Sequence, residues 1–315
     1  MSSRLLLRRV WGAVVVIFLA SILVALMVHL VPGDAASAVA GDNASVEQIE
    51  ATRERLGLND PIHVQYWNWA TDAIRGDFGH SLITNRPVTT MIRQVLPASL
   101  SITLGASVIA VFIGVNFGGI AGLRRGVTDR VASVGSSLGI AMPSFWVGML
   151  LVTFFALQFN LFPVLDYTPL TEDPLGWLHH ITLPSIALGL GMSAEVARQT
   201  RGGVVDVMAQ PYIRTARAKG APEGRLFFRH VARNAAIPVI TVLGLQIGRL
   251  LGGVIIIEQV FAVNGLGTMA VRAVSDRDFP VIQAYVLLTT VIVVSINLLV
   301  DLSYGWINPR VRRQE

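Results

Sequence analysis

Few residues in this chain have the chemistry to act on another molecule. It has 315 residues, no cysteine and one lysine, Lys219. Without cysteine there is no thiolate nucleophile, no thiolate metal site and no disulfide. A phosphate loop of the G-x-x-x-x-G-K-S/T type needs a lysine followed by Ser or Thr. Lys219 is followed by Gly220, so the chain carries no such loop for ATP hydrolysis. Neither a G-x-S-x-G nucleophile turn nor an H-E-x-x-H zinc helix occurs. His179 and His180 are adjacent and diverge on a helix. His29, His63, His80 and His230 are scattered, so no metal site is expected. What remains is cationic. Arg249 is the one full charge deep within an apolar run, with Gln246 one helical turn before it. A charge at such a place is costly and faces a polar cavity or a partner. The pair reads either as lining for a substrate path or as a structural pairing with an acidic residue or another subunit.

The elements that must position these residues are long and apolar. Hydrophobic residues make up 53% of the chain and charged residues 14%, against about 25% charged in a soluble domain. The net charge of +5 does not point to nucleic acid, because the charges sit in short blocks between apolar runs. Those runs are 10–30, 100–123, 131–161 (interrupted by Pro143), 181–194, 234–257 and 281–300. A spanning helix needs about 20 mostly apolar residues, and backbone in lipid must satisfy its own hydrogen bonds. An all-α integral membrane protein with six transmembrane helices is expected, without an Asp or Glu deep in a span. Of the basic residues outside the spans, 17 lie on one side, in the amino end, the two loops after the second and fourth runs, and the tail; 7 lie on the other. The cation-rich side is cytoplasmic, so both termini are expected there. Ala38-Val39-Ala40 could mark signal-peptide cleavage, but the run before it is longer than a typical signal's apolar region. Cleavage would leave five helices without reversing the rest.

Four segments stand out. Within the external stretch 41–97, Ser45 and Gln48 match a capping box and Gly57 could close that helix. Asp60 and Pro61 suit a second helix start, with Pro at the first helical position. Ile62, Tyr66, Trp69 and Ala73 then form an apolar stripe at helical spacing, and 76–79 read as a turn. The stretch is a cap on the bundle, a docking surface for an external partner, or both. Gly114, Gly118 and Gly122 lie four apart, a spacing that lets helices approach closely in lipid. The longest cytoplasmic loop, 198–233, is patterned: Gln210-Pro211 opens a short helix, Ile213, Ala216 and Ala218 give a small-residue face, and Gly220 ends it. Ala221-Pro222-Glu223 opens a second short helix carrying Leu226, Phe227 and Val231. From the residues alone this loop either docks a cytoplasmic protein or only fixes topology and lies on anionic lipid.

Residues 212–220, YIRTARAKG, resemble the signature loop of permease subunits in bacterial ATP-binding-cassette importers. The general pattern is Glu-Ala-Ala, three residues, Gly; here Arg214, Thr215 and Ala216 hold the first three places and Gly220 the last. The RTA variant is the form usual in the oligopeptide/dipeptide/nickel branch. The downstream Arg229-His230 and RNAAIP at 233–238 also resemble that branch. Further matches follow in the expected order: HLVPGD at 29–34, LGLNDP at 56–61, QYW at 65–67, GDFGHS at 76–81, RPV at 86–88, AMPSF at 141–145, HITLP at 180–184, GG at 252–253 through EQVF at 258–261, GLG at 265–267 and NPR at 308–310. Singly they are weak, but their joint order over most of the chain is specific, and the chain is identified as resembling the B-type permease of this branch.

The resemblance implies a type I importer permease fold in the bacterial cytoplasmic (inner) membrane. It divides the chain into a first helix with its cytoplasmic end (1–31), a periplasmic or extracellular segment (32–97), a transmembrane core (98–303) with coupling loop 198–233, and a tail (304–315). It implies a second, C-type permease, two cytoplasmic ATPase subunits or domains, and an external substrate-binding lipoprotein. ATP and Mg would be bound by the ATPases, with no cofactor in this chain. Tyr212, Arg214, Thr215, Ala216, Arg217, Lys219 and Gly220 would contact an ATPase, and di- or oligopeptides would cross by alternating access. Nickel chelates, glutathione and haem-like cargo are alternatives. Arg249 departs from the small or neutral residue expected at its place. An ion-driven secondary transporter is the reading from another class; it would show inverted repeats and mid-membrane carboxylates, and neither is visible. A membrane-embedded assembly subunit without a path is the third, against which Arg249 and the patterned loop weigh.

Overall fold

The computed structural model describes residues 3–30, 35–40, 44–55, 57–124, 126–163, 167–226 and 231–307. Their helices are, in order, α1 (Ser3–Leu30), α2 (Ala35–Ala40), α3 (Val46–Arg55), α4 (Ile62–Ile74), α5 (Val88–Leu123), α6 (Val127–Ala141), α7 (Ser144–Leu151) continuing as a π-helix (Val152–Gln158), α8 (Pro174–Met208), α9 (Pro211–Ala218), α10 (Glu223–Leu226), α11 (Ala232–Val260), α12 (Leu266–Ser275) and α13 (Phe279–Ile307). Strand pairing among these residues is limited to one antiparallel bridge, His80 to Pro87. The chain divides into two compact units: one from 98–264 with 1–3 and 296–315, the other from 4–97 and 265–295.

The first unit is organised around α8. Asp173 opens this helix by accepting from Leu175 N at 3.0 Å, and Pro174 takes the position where its missing N–H costs nothing. Buried residues run from Ile181 to Val204. Close neighbours lie on several sides: a Cβ at Gly139 of α6 would sit 2.9 Å from Ala194 Cβ, and one at Gly203 of α8 would sit 3.3 Å from Ala235 Cα of α11. Its buried residues mix Ser185, Ala187, Gly189, Ser193, Ala194 and Ala197 with larger apolar side chains, and Glu195 and Arg198 interrupt the apolar run. For that reason α8 is not among the helices apolar enough to count as spans. Among the described residues three helices are long and apolar enough to cross a membrane, in α1, α5 and α13, and two bent pairs raise the number to five. The expected six is thus not reached by apolarity, and the run at 181–194 is the one that falls short.

The run at 131–161 is not one helix. Its axis turns by 92° between α6 and α7. Pro143 forces its predecessor out of the helical region, and Met142 is extended at φ −81°, ψ 121°. The run at 100–123, in contrast, is longer than expected. α5 starts at Val88 and passes through Pro97; the proline and Arg93 hid its first three turns.

In the second unit, Ser45 N donates to Gln48 Oε1 (2.9 Å) and Gln48 N to Ser45 Oγ (3.3 Å), the reciprocal capping box. Gly57, at φ +64°, closes α3 with Leu58 N donating to Arg53 O at 3.0 Å. Pro61 is the N-cap of α4 rather than its first helical residue. The stripe on α4 is shorter than expected. Tyr66, Trp69 and Ala73 turn toward α1 and α13, with Tyr66 OH 3.0 Å from Ser21 Oγ, whereas Ile62 is exposed. A separate apolar cluster joins Val88 and Ile92 of α5 to Leu266, Met269 and Ala273 of α12 and to Val281 and Ala284 of α13. Buried Asp278 ties the loop before α5 to it, accepting from Ser81 Oγ at 2.5 Å and from Leu82 N at 3.0 Å.

Candidate functional site

Helix α9 is short but fixed at both ends. Gln210 is extended (ψ 144°) because Pro211 follows, and Pro211 occupies the first helical turn. Gln210 O accepts from Ile213 N at 3.1 Å, and Thr215 Oγ1 donates to Pro211 O at 3.1 Å. At the other end Gly220 adopts φ +79°, a value that favours glycine. Gly220 N donates to Arg217 O (3.0 Å) and Ala221 N to Ala216 O (3.2 Å), the paired bonds of a Schellman cap. Arg217 in the last turn complements the helix dipole.

The helix has one inward residue. Ile213 is fully buried in a cluster with Val204 of α8, Val231, and Ala235 of α11. Tyr212, Arg214, Thr215, Arg217, Lys219 and Gly220 are exposed and Ala216 is half-buried. The expected small-residue face of Ile213, Ala216 and Ala218 does not form. Ala218 lies five residues beyond Ile213, about 140° around the helix at ~100° per residue, and is exposed. α10 follows with Leu226 buried. Phe227, Arg229, His230, Arg125, Leu56, Pro32, Gly33, Asp34 and the tail 308–315, including Arg310, Arg312 and Arg313, lie outside the described residues.

The other candidate residues lie on α5 and α11. A Cβ on Gly114 would sit 2.6 Å from Val196 Cβ, one on Gly118 2.8 Å from Thr200 Cβ, and one on Gly122 2.7 Å from Val204 Cβ. All three glycines therefore lie against α8. α11 bends by 53° between Val239–Leu250 and Gly252–Val260. Arg249 stands just before the bend and is exposed, while Gln246 is half-buried. Among the described residues Arg249 has no ion-pair partner. His179 and His180 part company, as adjacent residues on a helix must: the His179 ring meets Phe162 edge-on at 5.9 Å, and His180 Nδ1 donates to Gly176 O at 2.7 Å.

One functional candidate escaped the sequence reading. Glu258 of α11 is fully buried and accepts from Ser99 Oγ of α5 at 2.5 Å. It stands two residues before the end of α11, at the edge of the apolar run 234–257 and not deep within it. The apolar run was closed at 257 because Glu258 is charged, yet the helix continues to Val260.

Two matched families cover the chain. Residues 114–313 match the binding-protein-dependent transport system inner membrane component, and residues 2–103 match the N-terminal component of the same systems. The chain is 39% identical over 308 residues to a probable peptide ABC transporter permease of Sinorhizobium fredii, covering 98% of each protein. It is 41% identical over 307 residues to the glutathione transport system permease protein GsiC of Escherichia coli K12, covering 97% of this chain and 98% of that one. In fold it is similar to the crystal structure of an amino acid ABC transporter, with a TM-score of 0.50 at 18% identity, over 68% of this chain and 92% of that one. Long apolar helices, a capped basic loop and likeness over nearly the whole length converge on one assignment: the chain belongs to the binding-protein-dependent transport system inner membrane components, and it is a multi-pass inner-membrane permease subunit of an ABC importer.

Proposed function

We propose that this permease works beside a second, C-type permease and above two cytoplasmic ATPase subunits or domains, and that α9 is where an ATPase moves it. ATP and Mg are then bound outside this chain, and an external lipoprotein delivers the substrate. The observation that carries the proposal is the division of α9: Ile213 is rooted in the permease, while Arg214 and Lys219 point outward from a helix locked at both ends. A rigid element anchored on one side and cationic on the other can transmit a push from an acidic groove. Tyr212, Thr215, Ala216, Arg217 and Gly220 complete the face. Six crossings with both termini cytoplasmic fit this role. The three apolar helices and two bent pairs are joined by α8, whose 35 residues reach about 52 Å at 1.5 Å per residue.

Reversing the charge at Arg214 tests the proposal. In Arg214→Glu, uptake and transport-linked ATP hydrolysis are expected to fall about tenfold or more, equivalent to ~1.4 kcal/mol, with insertion and thermal stability unchanged because the side chain is exposed. Uptake at the wild-type rate would reject α9 as the coupling element and leave it as a loop that only fixes topology.

The substrate class we propose is di- or oligopeptides, including glutathione-like peptides, by analogy with the relatives' names. Arg249 supports a path that favours carboxylates. An exposed arginine in a membrane helix meets lipid, another subunit or a polar path, and lipid is the costly choice. Arg249→Ala is expected to slow uptake of acidic peptides about tenfold relative to basic ones, measured in the same vesicles. Equal uptake of every peptide by variant and wild type would remove Arg249 and Gln246 from the path.

A further inference from the structure

One stripe of α8 is open. Its far side is packed on α5, where Gly114, Gly118 and Gly122 meet Val196, Thr200 and Val204. On the open side Gly191, Glu195, Arg198 and Gly202 follow at steps of four, three and four residues, so they share one face. A Cβ on Gly202 would meet nothing within 4 Å, and one on Gly191 only Gly139 O at 3.9 Å. Within this stripe Arg198 Nη2 donates to Glu195 Oε1 at 2.6 Å and to Oε2 at 2.7 Å. One nitrogen thus holds the whole carboxylate, and the Nη1 and Nε protons of Arg198 have no acceptor among the described residues. The Arg198 side chain is 61% exposed and that of Glu195 19%.

The pair lies level with Gly114 and Gly118, which stand inside the apolar stretch Val88–Leu123 of α5. Lipid is a costly cover for charges at that level. A dry contact with another subunit would leave the spare guanidinium protons unpaired, whereas water in a path satisfies them. α11 runs beside the same stripe. A Cβ on Gly253 of α11 would meet Leu188 of α8 at 3.3 Å, and one on Gly203 of α8 would meet Ala235 of α11. Glu195 and Arg249 each lie between these two contacts. Glu195 is seven residues from Leu188 and Arg249 fourteen from Ala235, spacings that leave each within about 40° of its helix's contact line. Arg249 is exposed, so this stretch carries two guanidinium groups and one carboxylate.

We infer that Glu195 and Arg198 form a site for the two ends of a zwitterionic peptide in transit. The peptide's ammonium group takes the Glu195 carboxylate, and its own carboxylate takes Arg198, with Arg249 as the second cation. The inference rests on the peptide reading above and adds to it the group that receives the amino end. In the empty path the pair neutralises itself. When a peptide enters, one internal ion pair is exchanged for two between protein and peptide, so no charge in a narrow space is left without a partner. A lone arginine would recognise only the carboxylate; the pair recognises both ends.

The test uses the whole transporter, with its second permease and ATPases, in lipid nanodiscs. This chain has no cysteine, so Gly202→Cys alone reports water access beside the pair, at a position with room for the side chain. Sulfonatoethyl methanethiosulfonate reacts in water and not in hydrocarbon. It is expected to modify Gly202→Cys about tenfold faster than Phe112→Cys, on the bare apolar surface of α5, read on this chain by mass spectrometry. Trialanine with free ends is expected to slow that modification about fivefold, and N-acetyl-trialanine to have little effect. Adding Glu195→Gln is expected to abolish the protection by trialanine. Slow modification of Gly202→Cys both with and without ATP would overturn the wet path. Equal modification with and without trialanine would overturn the site, as would protection that survives Glu195→Gln. Receptor-dependent peptide uptake by the wild-type transporter checks the underlying reading separately: uptake without protection rejects this site alone, and absence of uptake rejects the peptide reading itself.

Discussion

Gly118→Val is expected to leave almost no heat-resistant transporter in detergent. A Cβ at this position would run into Ala197 O and lie 2.9 Å from Ala197 Cα. The obstacle is backbone, which cannot rotate away as a side-chain tip can. Accommodating the new atoms requires α5 and α8 to separate, which also loosens the contacts that Gly114 makes with Val196 and Gly122 with Val204 one turn to either side. Overpacking a tight contact costs about 1–3 kcal/mol and sometimes more. A spread along three turns belongs at the upper end, a large share of a total stability of roughly 5–15 kcal/mol. In a membrane this loss is not offset elsewhere, because lipid tails solvate apolar side chains as well as protein does and close packing holds the helices together. Gly135 of α6 is the control, since nothing lies within 4 Å of where its Cβ would be. Gly135→Ala should therefore melt within a degree or two of wild type, an effect on the order of a few tenths of a kcal/mol. The measurement is the fraction of monodisperse protein after heating; a Gly118→Val variant as resistant as wild type would mean the α5–α8 contact is not close in the assembled protein.

That contact was legible because it depends on one residue type at one spacing. Other features were legible for the same reason. The capping box at Ser45 and Gln48 needs two side chains at fixed separation, and Gly57 and Gly220 end their helices because a left-handed residue is most easily glycine. The same turn was unreadable where the residue is not glycine. α11 ends with Val263 N bonded to Glu258 O and Ala262 at φ +48°, and α12 ends with Asp278 N bonded to Ala273 O and Arg277 at φ +57°. Each has the geometry of the Gly220 cap, at a conformational cost of about 1–2 kcal/mol for a residue with a Cβ. The tertiary setting, not the local sequence, imposes it. Apolarity failed in a different way. It found α1, α5 and α13, whose apolar stretches are less than half buried within this chain, and undervalued α8, whose middle is buried over much of its length. It also cut α5 at Pro97 and α11 at Glu258, because a proline and a charge read as boundaries when tertiary contacts are unknown. For α9, the ends were readable from Pro211 and Gly220, but the inward face was not. Ile213 is its only buried side chain, and the partners of Ile213 come from α8 and α11, remote in sequence.

Glu258→Ala is expected to be the most damaging single side-chain deletion in the core of the first unit, at about 3–5 kcal/mol. Glu258 is fully buried, and its carboxyl group receives the hydroxyl of Ser99, itself fully buried. Deleting it opens a cavity and removes the oxygen to which Ser99 Oγ donates. Glu258→Gln separates these effects, since the amide keeps the volume and one acceptor oxygen, so its cost should stay near 1 kcal/mol. Ser99→Ala removes only the donor and should fall between, at about 1–3 kcal/mol. The order Gln, then Ser99→Ala, then Glu258→Ala in thermal unfolding of the purified transporter follows if the group is a structural tie between α5 and α11. Equal stability of Glu258→Ala and wild type would refute the tie. Transport adds a second axis to the same series. α11 carries Arg249, the bend and Glu258, so a rearrangement of that helix during the cycle would strain the bond to Ser99. Glu258→Gln with wild-type stability and wild-type uptake means the tie stays closed throughout; the same stability with lost uptake means the charge or proton of the carboxyl group is used when the helix moves.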